Sequence, residues 1–340
     1  MPQKPNQTLT QAQYLPIFIL VYGFTRVAME QELIASLDQF YNFKVKKCIA
    51  GPRQVVAQTY IVEDFSGKQY FCKLIDNPLL IPGIIQTLPV VEQMYLHGID
   101  KICYPIKGNK GLYFYLRNTL VVVFNYIAVN QGVNYDLYLL GSMIAKVHAI
   151  TDKISIQAPI EKFEFPNYSY FSKTFEETLI SESIDDITQQ FKKLLQSHET
   201  EIRKYVAELM HITDACKKQQ PDLVLTHGDI ITNVLVKAPN DIYIIDWDEM
   251  RLAPAERDLW RKDENAEFMN GYKSVRPNFT MNKDLRRYCM LQYYFDRMNI
   301  YFVEILNPNA TNEYRLNRLQ RFASGNLAGS NQAKFESQAP

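Results

Sequence analysis

Apolar residues at Met29, Leu33, Ile34, Leu37, Phe40 and Tyr41 recur at the spacing of one helix face, so a helix opens the folded part of the chain. Three strand-like segments follow, over 43–49, 55–62 and 69–75, and the turn Asp64-Phe65-Ser66-Gly67-Lys68 joins the last two as a hairpin. Pro78, Pro82, Gly83 and Pro89 predict a loop leading into a short helix over about 90–97, which Gly98 ends. Strands are expected again over 101–106, 112–116 and 120–124. After Tyr126 the period changes. Leu137, Leu140, Ile144 and Val147 mark a buried helix, and further helices are expected over 185–195, 199–217, 285–306 and 313–322. A pair of short strands between Leu223 and Asp246 interrupts them. The pattern predicts an α+β chain with an antiparallel, β-rich N-terminal lobe over 27–124 and a mainly helical C-terminal lobe over 125–325.

The ends read differently. Residues 15–24 (LPIFILVYGF) are apolar but too short to span a bilayer, which takes ~20 such residues, and the leader before them lacks the basic character of a signal peptide. They predict an arm over 1–26 that packs on the folded body. Residues 326–340 are small and polar and read as a flexible tail.

Composition narrows the function. The chain has 340 residues, 47% of them hydrophobic, with 37 basic residues balanced by 37 acidic ones. That balance argues against a nucleic-acid partner, which calls for a basic excess. The five cysteines, Cys48, Cys72, Cys103, Cys216 and Cys289, make neither a zinc pattern nor a disulfide framework, and fit a cytoplasmic protein.

The richest chemistry lies in LVLTHGDIITNVLVKAPNDIYIIDWD, from Leu223 to Asp248. Asp229, Asn233 and Asp246 fall at the ends of two short strands joined by a turn. A plain buried hairpin explains Val234-Leu235-Val236 and Tyr243-Ile244-Ile245. It does not explain two carboxylates and an amide crowded together, where burial without partners is costly. Phosphoryl transfer explains them, because it asks the protein for positioning and charge neutralisation around Mg²⁺ and the γ-phosphate. Asp229 is then the base that takes or orients the proton of an acceptor hydroxyl. Asn233 and Asp246 supply the oxygen ligands that magnesium prefers.

His227-Gly228-Asp229 with Asn233, followed by Ile244-Ile245-Asp246-Trp247-Asp248, resembles the aminoglycoside phosphotransferase and choline kinase family. The continuation Leu252-Ala253-Pro254-Ala255-Glu256-Arg257-Asp258-Leu259 is similar to its spectinomycin phosphotransferase branch. The resemblance implies a two-lobed protein-kinase-like fold that uses ATP, with GTP as the alternative, and Mg²⁺. It also implies a structural place for His227 beneath the catalytic loop. One departure stands out. The family places four residues between the catalytic Asp and the Asn, whereas Ile230, Ile231 and Thr232 alone intervene here.

On the nucleotide side the resemblance points to Lys73 on the third strand as the phosphate clamp and to Glu92 as its orienting partner. Arg53, in the turn after the first strand, is a candidate phosphate contact. Phe124 and Tyr126 fall where a hinge would offer backbone groups to a purine. On the acceptor side the resemblance implies a small, cationic molecule bearing a hydroxyl: an aminoglycoside, spectinomycin or a choline-like amine. Asp248 and Glu249 are placed to meet its amine. The acidic run Glu161, Glu164, Glu176, Glu177, Glu182, Asp185 and Asp186 reads either as an acidic wall or as solvated helix faces. Trp247 and Trp260 are expected in the core, and Arg257 and Asp258 as a structural pair. Two rival readings are an atypical protein kinase and a catalytically impaired, pseudokinase-like binding module. The first lacks a recognisable activation segment after Asp246. The second is motivated by the short Asp229–Asn233 spacing.

Overall fold

A computed structural model describes residues 26–52, 57–130, 134–165, 167–182 and 185–324. In chain order the elements are α1 (Arg26–Tyr41), β1 (Val45–Ala50), β2 (Gln58–Asp64), β3 (Gln69–Ile75), α2 (Ile81–Leu96), β4 (Tyr113–Leu116) and β5 (Thr119–Asn125). Then follow α3 (Leu137–Ala149), α4 (Tyr168–Ile180), α5 (Asp186–Ser197), α6 (Glu199–Gln219), β6 (Val224–Thr226), β7 (Val234–Ala238), β8 (Asp241–Ile244), β9 (Arg251–Ala253), α7 (Glu256–Leu259), α8 (Ala266–Val275), α9 (Lys283–Ile305) and α10 (Asn312–Phe322). The α+β, kinase-like class expected from the sequence is the class observed.

The chain divides into two compact units. Among the described residues, one covers 26–161 and 222–282 and contains Lys73, Glu92, Asp229, Asn233, Asp246 and Asp248. Its five-stranded antiparallel sheet has the order β1-β2-β3-β5-β4. Alternation sorts its side chains. Tyr70, Cys72 and Leu74 on β3 join Leu33 and Leu37 of α1 in one core, while Ile75 joins Leu120, Val122 and the α2 residues Ile84 and Leu88 in another. Lys73 therefore belongs to the α2 face of the sheet.

Two expectations are corrected here. The short helix over 90–97 is the second half of α2, which begins at Ile81 and runs through Pro89. Proline removes one backbone donor there, but Ile84 and Leu88 on one side of it and Val90, Val91 and Met94 on the other are buried, and that burial carries the helix through. The segment 101–106 is not a strand. Pro105 denies it a ladder donor, so it makes single bridges, Ile102 to Ile244 and Pro105 to Phe124. It still connects β5 to β8, because the Cys103 N–H donates to the Ile244 carbonyl and the Ile244 N–H to that of Lys101, both at 3.0 Å.

Gly141 on α3 and Gly271 on α8 let these two helices touch backbone to backbone. A Cβ on Gly271 would lie 1.9 Å from the Tyr138 carbonyl oxygen, and one on Gly141 2.0 Å from that of Phe268. The other unit, 162–221 and 283–324 among the described residues, is helical. Phe171, Phe191, Phe302 and Phe322 pack at its centre, with Phe302 5.7 Å from Phe171 and 5.5 Å from Phe191 between ring centroids. Helices α4 and α8 were not anticipated. No described helix is long and apolar enough to cross a membrane.

Candidate active site

Strand β6 is fully buried against β9 and delivers His227 to the site. The turn after it is held from α7. The Asp258 carboxylate accepts the backbone N–H of His227 at 2.9 Å and of Gly228 at 2.7 Å. Burial opposes charge on Asp258, but the hydrogen bond from His148 Nε2 at 3.1 Å and nearby cationic groups outweigh it and hold its pKa below the usual carboxylate range. Burial lowers the His148 pKa; the ring gives its Nε2 proton to Asp258, and its Nδ1 lies 2.8 Å from the Tyr272 hydroxyl. Arg257 does not bond to Asp258, contrary to the expected pair. Its guanidinium donates to Thr226 Oγ1 at 2.9 Å and to the Glu249 carbonyl at 3.0 Å. Gly228 sits at φ +96°, and a Cβ there would fall 2.1 Å from that guanidinium, so glycine is required twice over.

His227 is structural, as the resemblance implied. Its Nδ1 accepts the Asp229 N–H at 3.2 Å, which puts the ring proton on Nε2, and Nε2 donates to the Ile245 carbonyl at 2.7 Å. One imidazole thus ties Asp229 itself to Ile245, the residue before Asp246.

The short Asp229–Asn233 spacing is accommodated by a single 3₁₀ turn over Ile230–Thr232, with Ile230 buried beneath it. A 3₁₀ turn closes with one residue fewer than an α turn. The Asn233 N–H returns to the Ile230 carbonyl, and its side-chain Nδ2 donates to the Asp229 carbonyl at 2.8 Å. Only the amide nitrogen can serve that carbonyl, so Oδ1 is the end left to accept. The Asn233 carbonyl in turn receives the Ile245 N–H at 3.0 Å, setting the loop beside Asp246.

Asp246 has left-handed backbone, φ +64°, a conformation Asp tolerates better than most residues. Its Oδ1 accepts the Lys73 ammonium at 2.8 Å. Magnesium fits this donor set: Asn233 Oδ1 and Asp246 are hard oxygens, and the ion characteristically takes one or two protein ligands and fills its shell with phosphate oxygens and water. Among the described residues no cluster of three His, Cys, Asp or Glu side chains forms a closed metal cage.

Lys73 lies 2.5 Å from Asp248 Oδ2 as well, with its own side chain only 6% exposed. Burial works against its charge, but the carboxylates of Asp248 and Asp246 overcome this and raise its pKa. Asp248 is pushed upward by burial, against the pull of Lys73. The expected Lys73–Glu92 pair is not made. Glu92 lies late in α2 and faces Lys107 at 3.9 Å, while two nearer carboxylates take the ammonium. Asp248, expected to meet an acceptor amine, is thereby committed to Lys73. Glu249 is half exposed and 4.0 Å from Arg257.

Arg53 falls outside the described residues. Phe124 lies near the end of β5 opposite Phe71, and Tyr126 follows the strand. Five of the seven acidic residues of the run face cations of the protein: Glu161 with Arg251, Glu176 with Arg203 and Asp185 with Arg315, each within 3.2 Å, and the exposed Glu164 and Glu177 with Lys162 at 4.0 Å and Lys173 at 3.8 Å. Trp247 and Trp260 are buried, as expected. Sequence reasoning missed Arg261, whose NH1 donates to Asp229 Oδ1 at 2.9 Å, and Thr232, whose hydroxyl donates to Oδ2 at the same distance. The signal for Arg261 was its place three residues after Asp258.

The fold has a protein-kinase-like architecture, with the candidate site at the ends of its β7–β8 hairpin. Residues 125–262 match the model of the ecdysteroid kinase-like family. The chain is similar to the crystal structure of a spectinomycin phosphotransferase in complex with ADP and spectinomycin, with a TM-score of 0.74 and 24% identity, covering 91% of this chain and 98% of that one. It is also similar to an amicoumacin kinase in complex with AMP-PNP and Ca²⁺, at a TM-score of 0.52 and 14% identity over 89% of this chain and 96% of the other. A choline kinase from Cryptosporidium parvum superimposes with a TM-score of 0.52 and 10% identity, covering 91% of this chain and 96% of that one. No curated protein matches the chain. The likenesses establish the kinase-like fold.

Proposed function

We propose that this protein is an ATP- and Mg²⁺-dependent phosphotransferase that moves the γ-phosphate to a hydroxyl of a small molecule. The observation that carries the reading is the convergence of Asp229, Asn233 and Asp246 on one hairpin with Lys73 bonded to Asp246. Structural need alone does not ask for a buried ammonium, an oriented amide oxygen and a third carboxylate at one place. The solved neighbours bound to ADP or AMP-PNP support a nucleotide in this fold.

In this reading Lys73 clamps the α- and β-phosphates, and residues 27–124 form the nucleotide lobe, with the backbone near Phe124 and Tyr126 facing the base. Asn233 Oδ1 and Asp246 hold the metal, which neutralises phosphate charge when bound. Asp229 accepts the proton of the acceptor hydroxyl as the acceptor oxygen bonds to the γ-phosphorus and the bond to the departing ADP breaks. The acceptor is a hydroxyl-bearing small molecule of the class seen in the neighbours. Because Asp248 and most of the acidic run are spent on internal cations, preference for a cationic acceptor rests on the resemblance rather than on these carboxylates.

The test is a γ-phosphate transfer assay with Mg²⁺ against aminoglycosides, spectinomycin, choline-like amines, neutral polyols and protein substrates, with products weighed by mass spectrometry. Phosphorylation of a small hydroxyl compound supports the reading. Exclusive labelling of protein would favour the protein-kinase alternative, and Mg²⁺-dependent ATP binding with no turnover the pseudokinase one.

A further inference from the structure

We propose that Arg261 and Thr232 form a two-sided clamp that positions the carboxylate of Asp229 for the acceptor hydroxyl, with Arg261 as its principal arm. The inference rests on the phosphotransfer reading of the site. Each oxygen of Asp229 has its own donor: Arg261 NH1 on Oδ1 and Thr232 Oγ1 on Oδ2, both at 2.9 Å. A carboxylate offers about four lone-pair directions, so two engaged donors fix its rotation and leave the remaining directions for a substrate proton.

The placement of Arg261 is set by the same element that holds the backbone of the catalytic turn. Trp260 continues the helical path of α7, its N–H bonding the Glu256 carbonyl, and the Lys262 N–H returns to Leu259. Asp258 and Arg261, three residues apart on that path, fall on one face. Asp258 takes the N–H groups of His227 and Gly228, and Arg261 takes the side chain of the next residue, Asp229. Buried Leu259 and Trp260 anchor the element between these two grips. One short segment therefore fixes both the main chain and the side chain of the catalytic triplet. Thr232 closes the clamp from within the 3₁₀ turn, so the shortened loop brings a hydroxyl to the base. Arg261 is partly exposed, with 26% of its side chain accessible, so replacing it need not disturb the core.

The experiment compares Arg261→Gln, Arg261→Lys and Thr232→Val, each alone and with Asp229→Asn, by steady-state transfer to whichever hydroxyl compound the wild type phosphorylates. Melting curves serve as the folding control. Arg261→Gln is expected to lower kcat by roughly tenfold to a hundredfold, the scale on which a misplaced catalytic group slows a reaction. KM for ATP should stay within about threefold of wild type, since the lost contact is not to nucleotide. Arg261→Lys, which keeps the charge but not the fork, should recover part of the rate. In the Asp229→Asn background Arg261→Gln should cost nothing further, because the clamp then has no base to position. An unchanged kcat in Arg261→Gln, or an equal loss with and without Asp229, overturns the clamp and leaves the phosphotransfer reading standing. A folded wild type with no turnover overturns both.

Discussion

In the proposed reading, Asp246 is the residue on which the metal side of the site depends. It stands in left-handed backbone at the end of β8, with Lys73 on one carboxylate oxygen and the Asn233 loop beside it through the Ile245 N–H. Replacing it with alanine leaves Lys73 bonded to Asp248 and removes the charged ligand proposed for the metal. Asp246→Ala is therefore expected to abolish the Mg²⁺-dependent part of ATP affinity in calorimetric titrations with and without the metal. Unchanged affinity and metal dependence would remove Asp246 from the site. The candidates Asp229, Asn233 and Asp246 stood out in the sequence because each is an unusual group in an apolar setting. The partners of Lys73 were not. Lys73 lies 173 positions before Asp246, and only the folded chain shows that Asp246 and Asp248, not Glu92, reach its ammonium. Arg261 was hidden in the same way: its place three residues after Asp258 marks a shared helix face, but only the folded chain shows that it reaches Asp229.

At the scale of elements, the 3₁₀ turn of Ile230–Thr232 is matched to its length. Two bonds close it, from the Asn233 N–H to Ile230 and from Asn233 Nδ2 to the Asp229 carbonyl. Inserting one residue after Thr232 breaks both registers and moves Asn233 by up to ~3.5 Å, so turnover should fall. A faster insertion variant would show that the short loop impairs the site. In the helical unit, α5 is capped by Asp185, which accepts the N–H groups of Ile187 and Thr188 and pairs with Arg315 at 3.0 Å. Burial opposes its charge, but the Thr188 N–H and Arg315 prevail and hold its pKa at about 2. A depressed folded-state pKa stabilises above the unfolded value near ~4 and is lost as pH falls toward the folded one. Asp185→Ala should cost about 1 kcal/mol at pH 7, the usual worth of an N-cap. Thermal melts between pH 7 and pH 2 should show that gap narrowing only below pH ~4; a gap constant across the range would contradict the pairing. Helices such as α9 and α10 were legible from apolar period alone. Helix α8 was not, because Gly271 lowers its propensity and is explained only by the backbone of Tyr138 pressed against it. The run through Pro89 was likewise decided by burial on both sides.

For the molecule as a whole, the order of its parts was readable: a β-rich first section, then a helix, then a short β-hairpin among helices. The division into units was not, because each is assembled from separated stretches, 162–221 packing with 283–324 and 26–161 with 222–282. Such long-range pairing leaves no periodic mark. The unit that holds the hairpin also holds the sheet bearing Lys73, so one compact body carries all the groups assigned to phosphoryl transfer. The measurement that bears on this most directly is the rate of phosphate transfer by Asp229→Asn, with nucleotide affinity measured on the same samples. The substitution keeps the shape of the side chain and removes its basicity. The account predicts unchanged ATP affinity and a rate lower by roughly 10² or more, the scale of lost general-base help. A variant that transfers phosphate at nearly the wild-type rate would contradict it.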